Sequence, residues 1–317
     1  MKHNDKRRNS LESELMIWKV IWMSERIAIG FRAKLKARQK EVDSLVCVGL
    51  DPLLDKIPEC IPNLPDHERV YVHMRDIIDA TAPFACMFKP QSAYYEAIPH
   101  GRETLQKLVN YIHAVHPGIP VFLDCKRGDI GRTQERYSMA HLELDSVDGM
   151  NFSPYMGKDC MEFLARQDKP GAAIVGLCYT SNPAARQIQD VELSDGRYLW
   201  EFIAETTLEW ANELGIIENA GLVMAAAYED PNKPGNVISE HLSRCRRIVG
   251  NKMWFLIPGV GTQGGLIGET VENGHKKLGD MAISSSSGIT FKSAGEDYAE
   301  ASGIETDKLR NEINEHR

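Results

Sequence analysis

The stretch VFLDCKRGDIGRT, residues 121–133, passes from apolar to charged within four positions. Residues 121–123 read as a strand buried on both faces, so Asp124, Lys126 and Asp129 fall where that strand stops. An ordinary solvated face would spread its charges along a whole helix. Side-chain direction in a strand repeats every two residues, so Asp124 and Lys126 point the same way. A carboxylate and an ammonium side by side at a strand end tune each other's charge and can act on a bound molecule. A structural ion pair capping the strand is the plainer alternative.

Seven further apolar runs flank this one. LVCVGL (45–50), ACMFKP (85–90), GMNFSP (149–154), AAIVGLCYT (172–180), GLVMAAA (221–227), MWFLIPG (253–259) and MAISSSS (281–287) are each short enough for a buried strand. Helical patterns separate them. Leu105, Leu108, Val109, Ile112 and Val115 share one helical face, and Leu199, Phe202, Ile203, Thr206 and Trp210 share another. Gly215 and Gly250 follow such segments, where a left-handed cap is wanted. Eight strands alternating with helices, without a Pro-, Gly- or Ser-rich linker, point to an α/β fold, a single-domain (β/α)8 TIM barrel. A doubly wound sheet is second choice, because Asp51-Pro52 follows the first strand where G-x-G-x-x-G would mark a dinucleotide site.

The polar residues gather at the carboxyl ends of these strands, which converge on one mouth in a barrel. Asp51 follows the first strand, Lys89 ends the second, and Asp124, Lys126 and Asp129 follow the third. Ser153 with Tyr155, then Thr180-Ser181-Asn182, the Gly259–Gly265 loop GVGTQGG and the serines before Gly288 complete the set. The last two loops suit a phosphate, since glycines let backbone approach an anion and serines at a helix start offer N–H and hydroxyl donors. Tight turns and helix caps would use the same residues. Lys89, Asp124, Lys126 and Asp129 make an alternating array of cations and carboxylates. Such an array keeps lysines protonated, favouring a proton donor over a Schiff-base nucleophile.

Bulk composition narrows the class. A hydrophobic content of 43% with 26% charged residues is that of a globular chain with a large core. A net charge of −8 argues against a nucleic-acid partner. Seven cysteines without a C-x-x-C pair, most in apolar runs, suggest reduced thiols in a cytoplasmic protein without a zinc site. The patch MIWKVIWM contains Lys19 and falls far short of the about 20 apolar residues of a membrane span, so neither membrane helix nor signal peptide is expected. Residues 1–23 are read as an extension outside the fold, for which an over-long gene start would account. Residues 24–300 form the barrel and 301–317 a charged tail, the chain being peripheral from about 295 onward.

VCVGLDP (46–52), FKPQSAYYEA (88–97), LDCKRGDIGRT (123–133) and PYMGKD (154–159) together resemble the orotidine 5′-phosphate decarboxylases, in their longer, second group. CYTSNPAARQIQD (178–190) and LIPGVGTQGG (256–265) extend the resemblance over roughly residues 30–290. It implies decarboxylation of orotidine 5′-phosphate to UMP in pyrimidine biosynthesis, without metal or organic cofactor, by a homodimer with shared active sites. By motif, Lys126 protonates C6, Asp124 lies beside the leaving carboxylate, and Lys89 bridges ribose and array. Asp129 and Thr133 reach into the neighbouring subunit's site, and Asp51 binds the ribose. Ser181, in its segment with Asn182, binds the pyrimidine amide. Gln263 and the N–H groups of the loops, at Gly259, Gly261, Ser287 and Gly288, take the phosphate.

Two departures stand out. The family's segment after the eighth strand resembles NSSRAI and grips phosphate with arginine, whereas this chain reads SSSSGI and has Ser287 there. Lys292 is a possible substitute. Ser153 also stands where the family usually has asparagine. Two alternatives remain open: a metal-dependent phosphosugar lyase of the same superfamily, and a catalytically impaired barrel that binds nucleotide.

Overall fold

A computed structural model describes residues 29–165, 171–230, 233–260 and 265–317. The eight expected runs are strands: β1 (Val46–Leu50), β2 (Met87–Pro90), β3 (Phe122–Arg127), β4 (Gly149–Phe152), β5 (Ala173–Tyr179), β6 (Ala220–Met224), β7 (Trp254–Ile257) and β8 (Met281–Ser285). They pair in parallel in the order β2-β1-β8-β7-β6-β5-β4-β3. Parallel bridges from Phe88 to Val121 and from Gln91 to Asp124 join the two ends of that order. The sheet therefore closes into a (β/α)8 barrel, and the doubly wound alternative falls away.

Outside the barrel lie the longer helices α1 (Phe31–Val42), α2 (Asp66–Thr81), α3 (Gly101–Val115), α4 (Gly131–Ser138), α5 (Asp159–Ala165), α6 (Leu199–Glu213), α7 (Glu240–Val249), α8 (Ile267–Gly274) and α9 (Tyr298–Asn314). Gly215 (φ 70°) and Gly250 (φ 56°) take the positive φ expected after α6 and α7.

Two cores result from strand alternation. Val46, Val48, Leu123 and Met150 face the helices in the larger core. Cys47, Met87, Phe122, Val175, Val223 and Leu256 belong to a second, smaller cluster. There Trp254 stacks on Phe31, the first residue of α1, with ring centroids 5.1 Å apart, and meets Phe122 edge-on at 5.8 Å. Gly221 makes room for the indole, since a Cβ there would sit 2.7 Å from Trp254 Nε1. These rings fill the amino-terminal end of the barrel, so the polar residues gather at the opposite end.

Three expectations need correction. The buried face of α6 is Trp200, Ala204, Thr207 and Ala211, one position on from the one expected, while Phe202 is exposed. Small residues let this helix sit close, with Thr207 packed over Gly176, and Leu199 and Ile203 turn towards the cavity instead. Val115, at the end of α3, is half exposed. The C-terminal segment is not a peripheral tail: α9 packs on α2 at Gly303, bonds the Ile289 carbonyl through Ser302, and buries Tyr298, Leu309 and Ile313 in the larger core. Between those apolar residues the face carries the small Ser302, Gly303 and Thr306, which hydropathy reads as surface, and a Cβ at Gly303 would lie 2.8 Å from the Ala80 carbonyl oxygen. All seven cysteines are free thiols and only Cys60 is exposed. The expected extension at 1–23 lies outside the described residues.

Candidate active site

A cavity of about 840 Å³ opens at the carboxyl ends of the strands, lined from Asp51 round to Ser287. Its floor carries the charge cluster. Lys126 Nζ donates to Asp124 Oδ1 at 2.6 Å, and Lys89 Nζ lies 3.6 Å from Asp124 Oδ2. Asp124 thus holds one ammonium on each oxygen. Burial favours the neutral carboxyl, but Lys89 and Lys126 outweigh it and hold Asp124 below its ordinary 3.8. Burial likewise works against the charge on Lys89, yet Asp51 and Asp124 together raise it above the ordinary lysine value of 10.5. Both groups are therefore ionised at neutral pH.

Asp51 closes the ring on the other side. Its Oδ2 accepts a hydrogen bond from Ser286 Oγ at 2.7 Å, while its buried Oδ1 has no hydrogen-bond partner among the described residues. The contact between β1 and the serine loop depends on Gly49, where a Cβ would stand 2.6 Å from that of Ser286. An acceptor oxygen left in this way is placed for a donor from a ligand. Tyr95, from the run after β2, donates its hydroxyl to the Leu50 carbonyl at 2.9 Å and so fixes the end of β1.

Lys126 sits on a bulge. Its φ is +48°, and the β3–β4 register jumps from Leu123 opposite Met150 to Arg127 opposite Phe152. Arg127 anchors the far side of the bulge: its Nε donates to His141 Nε2 at 3.1 Å, which leaves His141 Nδ1 to donate to Asp145 at 2.9 Å. Arg127 also pairs with Glu96.

Ser181, Asn182, Gly259 and Ser287 line the same cavity as the charge cluster. Gly259 has φ +97°, which a residue with a side chain rarely adopts. Thr180 Oγ1 donates to Asn182 Oδ1 at 2.7 Å, and Gln189 is bonded to both the N–H and the hydroxyl of Thr180. Gly261 and Gln263 lie outside the described residues.

Other expected residues are elsewhere. Asp129 and Thr133 do not line this cavity; Asp129 caps the Ile130 N–H, and Thr133 lies exposed on the first turn of α4. The array within one chain is thus Lys89, Asp124 and Lys126. Gly288 faces a separate cavity against α9, and Lys292 points there too, paired with Glu305 at 2.8 Å, so it does not stand in for an arginine at 287. Asn151 and Gln189 are site residues that motif reading passed over. The clue to Asn151 was an amide inside the otherwise apolar strand run GMNF. Among the described residues no three His, Cys, Asp or Glu side chains group as a metal site, and no helix is long and apolar enough to cross a membrane.

Comparison with known proteins covers nearly all of this architecture. The profile of the orotidine 5′-phosphate decarboxylase / HUMPS family matches residues 44–301. Orotidine 5′-phosphate decarboxylase of Cupriavidus necator is 39% identical over 289 residues, covering 90% of this chain and 98% of that protein. The Bordetella pertussis enzyme of the same name is 38% identical over 286 residues, with the same coverage. Among solved structures, Leishmania donovani OMP decarboxylase superposes with a TM-score of 0.71 at 29% identity, covering 90% of this chain and 98% of that one. The eight-stranded barrel, the cavity at its carboxyl end and these relatives agree: the chain belongs to the orotidine 5′-phosphate decarboxylase / HUMPS family.

Proposed function

We propose that this protein decarboxylates orotidine 5′-phosphate to UMP, as the names of its relatives suggest. The observation that carries the reading is the Lys126–Asp124–Lys89 cluster on the floor of the cavity. Breaking the bond between C6 and the carboxylate leaves an electron pair on C6, with no adjacent carbonyl to take it up. The Lys126 ammonium stabilises that charge and gives C6 a proton as carbon dioxide departs. Asp124 keeps the ammonium aimed at this point and sets a fixed negative charge beside the substrate carboxylate, an interaction relieved when that carboxylate leaves. Because these charges are already in place, they need little reorganisation as the reaction proceeds.

Asp51 Oδ1 and Lys89 are placed for the ribose hydroxyls, the 180–182 segment for the pyrimidine, and Gly259 with Ser287 for the phosphate. Asp129 and Thr133 serve a partner's site in a homodimer. In support, they stand beside exposed apolar side chains, with Ile130 51%, Met156 47% and Tyr155 87% exposed. No cofactor enters this scheme.

Loss of orotidine 5′-monophosphate absorbance with purified protein tests the proposal. Turnover that survives a chelator is expected, and Lys126→Ala is expected to lower kcat by about 10⁴-fold or more. No turnover overturns the reading; turnover abolished by chelation points to the metal-dependent branch. Full activity in Lys126→Ala removes the proton donor.

A further inference from the structure

We infer that Asn151 is a positioning residue for the reaction, setting the lysine backbone and the aspartate carboxylate with one amide group; the inference rests on the decarboxylase reading. Between the pairs Leu123–Met150 and Arg127–Phe152, β4 supplies one residue where β3 has three. Backbone pairing cannot serve all the N–H groups of such a bulge. Asn151, 1% exposed, makes up the difference through its side chain. Its Oδ1 accepts from the N–H of Cys125 at 2.9 Å and of Lys126 at 2.7 Å. Its Nδ2 donates to Asp124 Oδ1 at 2.7 Å, the oxygen that also accepts from Lys126 Nζ.

The chemistry requires an amide. An acceptor must face two N–H donors and a donor must face a carboxylate, so only one orientation of the amide satisfies all three bonds. Leucine has the shape and neither function; a carboxylate would accept from the N–H groups but repel Asp124. Lys126 is held in the left-handed region, which a residue with a side chain occupies only when its surroundings enforce it. Asn151 provides that enforcement and fixes the Asp124 rotamer in the same step. The distance from ammonium to reacting carbon therefore depends on a residue assigned no part in the chemistry.

The test uses the full-length protein with orotidine 5′-monophosphate. Asn151→Ala is expected to lower kcat by about 10²-fold with KM changed by less than about threefold, because misplacement of the donor affects the chemical step. Asn151→Asp keeps the shape, and a protonated carboxyl offers both a donor and an acceptor, so its kcat is expected to recover as the pH is lowered, unlike that of the parent. Variants that melt earlier yet keep kcat within about threefold, or that change KM alone, overturn the assignment, as does Asn151→Asp with the parent's pH profile. Should neither variant fold, hydrogen exchange in the unmodified protein decides: the Cys125 and Lys126 amides are expected to be protected, and exchange at exposed-loop rates overturns the proposal. An inactive parent refutes the decarboxylase reading; an active parent with unaffected variants refutes only the role of Asn151.

Discussion

On the side of the mouth formed by β1 to β4, the charged groups stand on or directly after strands and are held by partners in the same chain: Asp124 by two lysines and an amide, Asp51 by Ser286. On the side formed by β7 and β8, the polar groups are hydroxyls and backbone N–H groups on loops, and the cation that the family resemblance puts at 287 is a serine. The first arrangement suits bond breaking, where charges must be in place before the substrate changes. The second suits holding an anion remote from that bond, where many small contacts do the work and loops can close over it.

Removing charge from the strand side is the severest way to break the contrast. Lys89→Ala leaves Asp51 and Asp124 buried without their shared cation, which is expected to cost about 3–5 kcal/mol of stability as well as activity. The pH dependence follows from the directions of the two shifts. Asp124 is held below 3.8, so its contribution is complete above that value and is lost as the pH falls through its lowered pKa. Lys89 is raised above 10.5, so its contribution is complete below that value and is lost as the pH rises through its raised pKa. Denaturant unfolding of the parent should therefore owe no slope to these two groups from pH 5 to 9, whereas in the variant the buried carboxylates take up protons more readily and the deficit shrinks as the pH falls. A deficit that stays constant down to pH 5 would mean that Lys89 is not what holds these groups charged.

The wall behind the loop side behaves in the opposite way, because its buried group is neutral. His241 stacks on Tyr179 at 4.8 Å and lies 6.0 Å from Tyr228, whose strand pairs with Gly265 at the foot of the glycine loop. Burial pushes His241 down to about 4, while the Ala225 carbonyl, 2.8 Å from Nε2, opposes that shift. Below pH 6.5 the unfolded chain takes up a proton that the folded one refuses, so stability falls as the pH drops from 6.5 towards 4, by roughly 3 kcal/mol for this group. His241→Asn retains a donor for Ala225 and cannot titrate in this range, so its stability should fall less over the same window. Parallel acid limbs for parent and variant would show that His241 takes its proton in the folded state.

How far the sequence could be read follows the same division. The barrel was legible because eight short apolar runs alternate with amphipathic helical patterns. Asp124, Lys126, Lys89 and Asp51 were legible because a charge at the end of an apolar run is costly to desolvate unless it is paired or put to use. Asn151 was not, since one amide in a buried strand resembles any satisfied core polar group until the register jump beside it is seen. Helix α9 was missed for a related reason: the small residues Ser302, Gly303 and Thr306 interrupt its buried apolar stripe of Tyr298, Leu309 and Ile313, so the helical periodicity does not stand out. Lys292 illustrates the limit of sequence proximity, since one turn of helix carries it to Glu305 and away from the mouth.

The smallest effect expected here is a gain. Ser287 opens the one-turn helix Ser287–Thr290 at the rim of the cavity, and that helix is braced from behind by Ser302, whose hydroxyl donates to the Ile289 carbonyl at 2.9 Å. A guanidinium at 287 would add charge-assisted hydrogen bonds to the phosphate that the proposed scheme gives to the backbone N–H groups of this rim. Ser287→Arg is therefore expected to lower KM for orotidine 5′-monophosphate by about 10- to 100-fold, to leave kcat within about threefold, and to leave the melting temperature unchanged. Orotidine without its phosphate should show no such gain. If KM does not move, the phosphate is held by groups away from 287. If kcat rises along with affinity, phosphate binding and the chemical step are coupled, and the division between the two sides of the mouth fails at this residue.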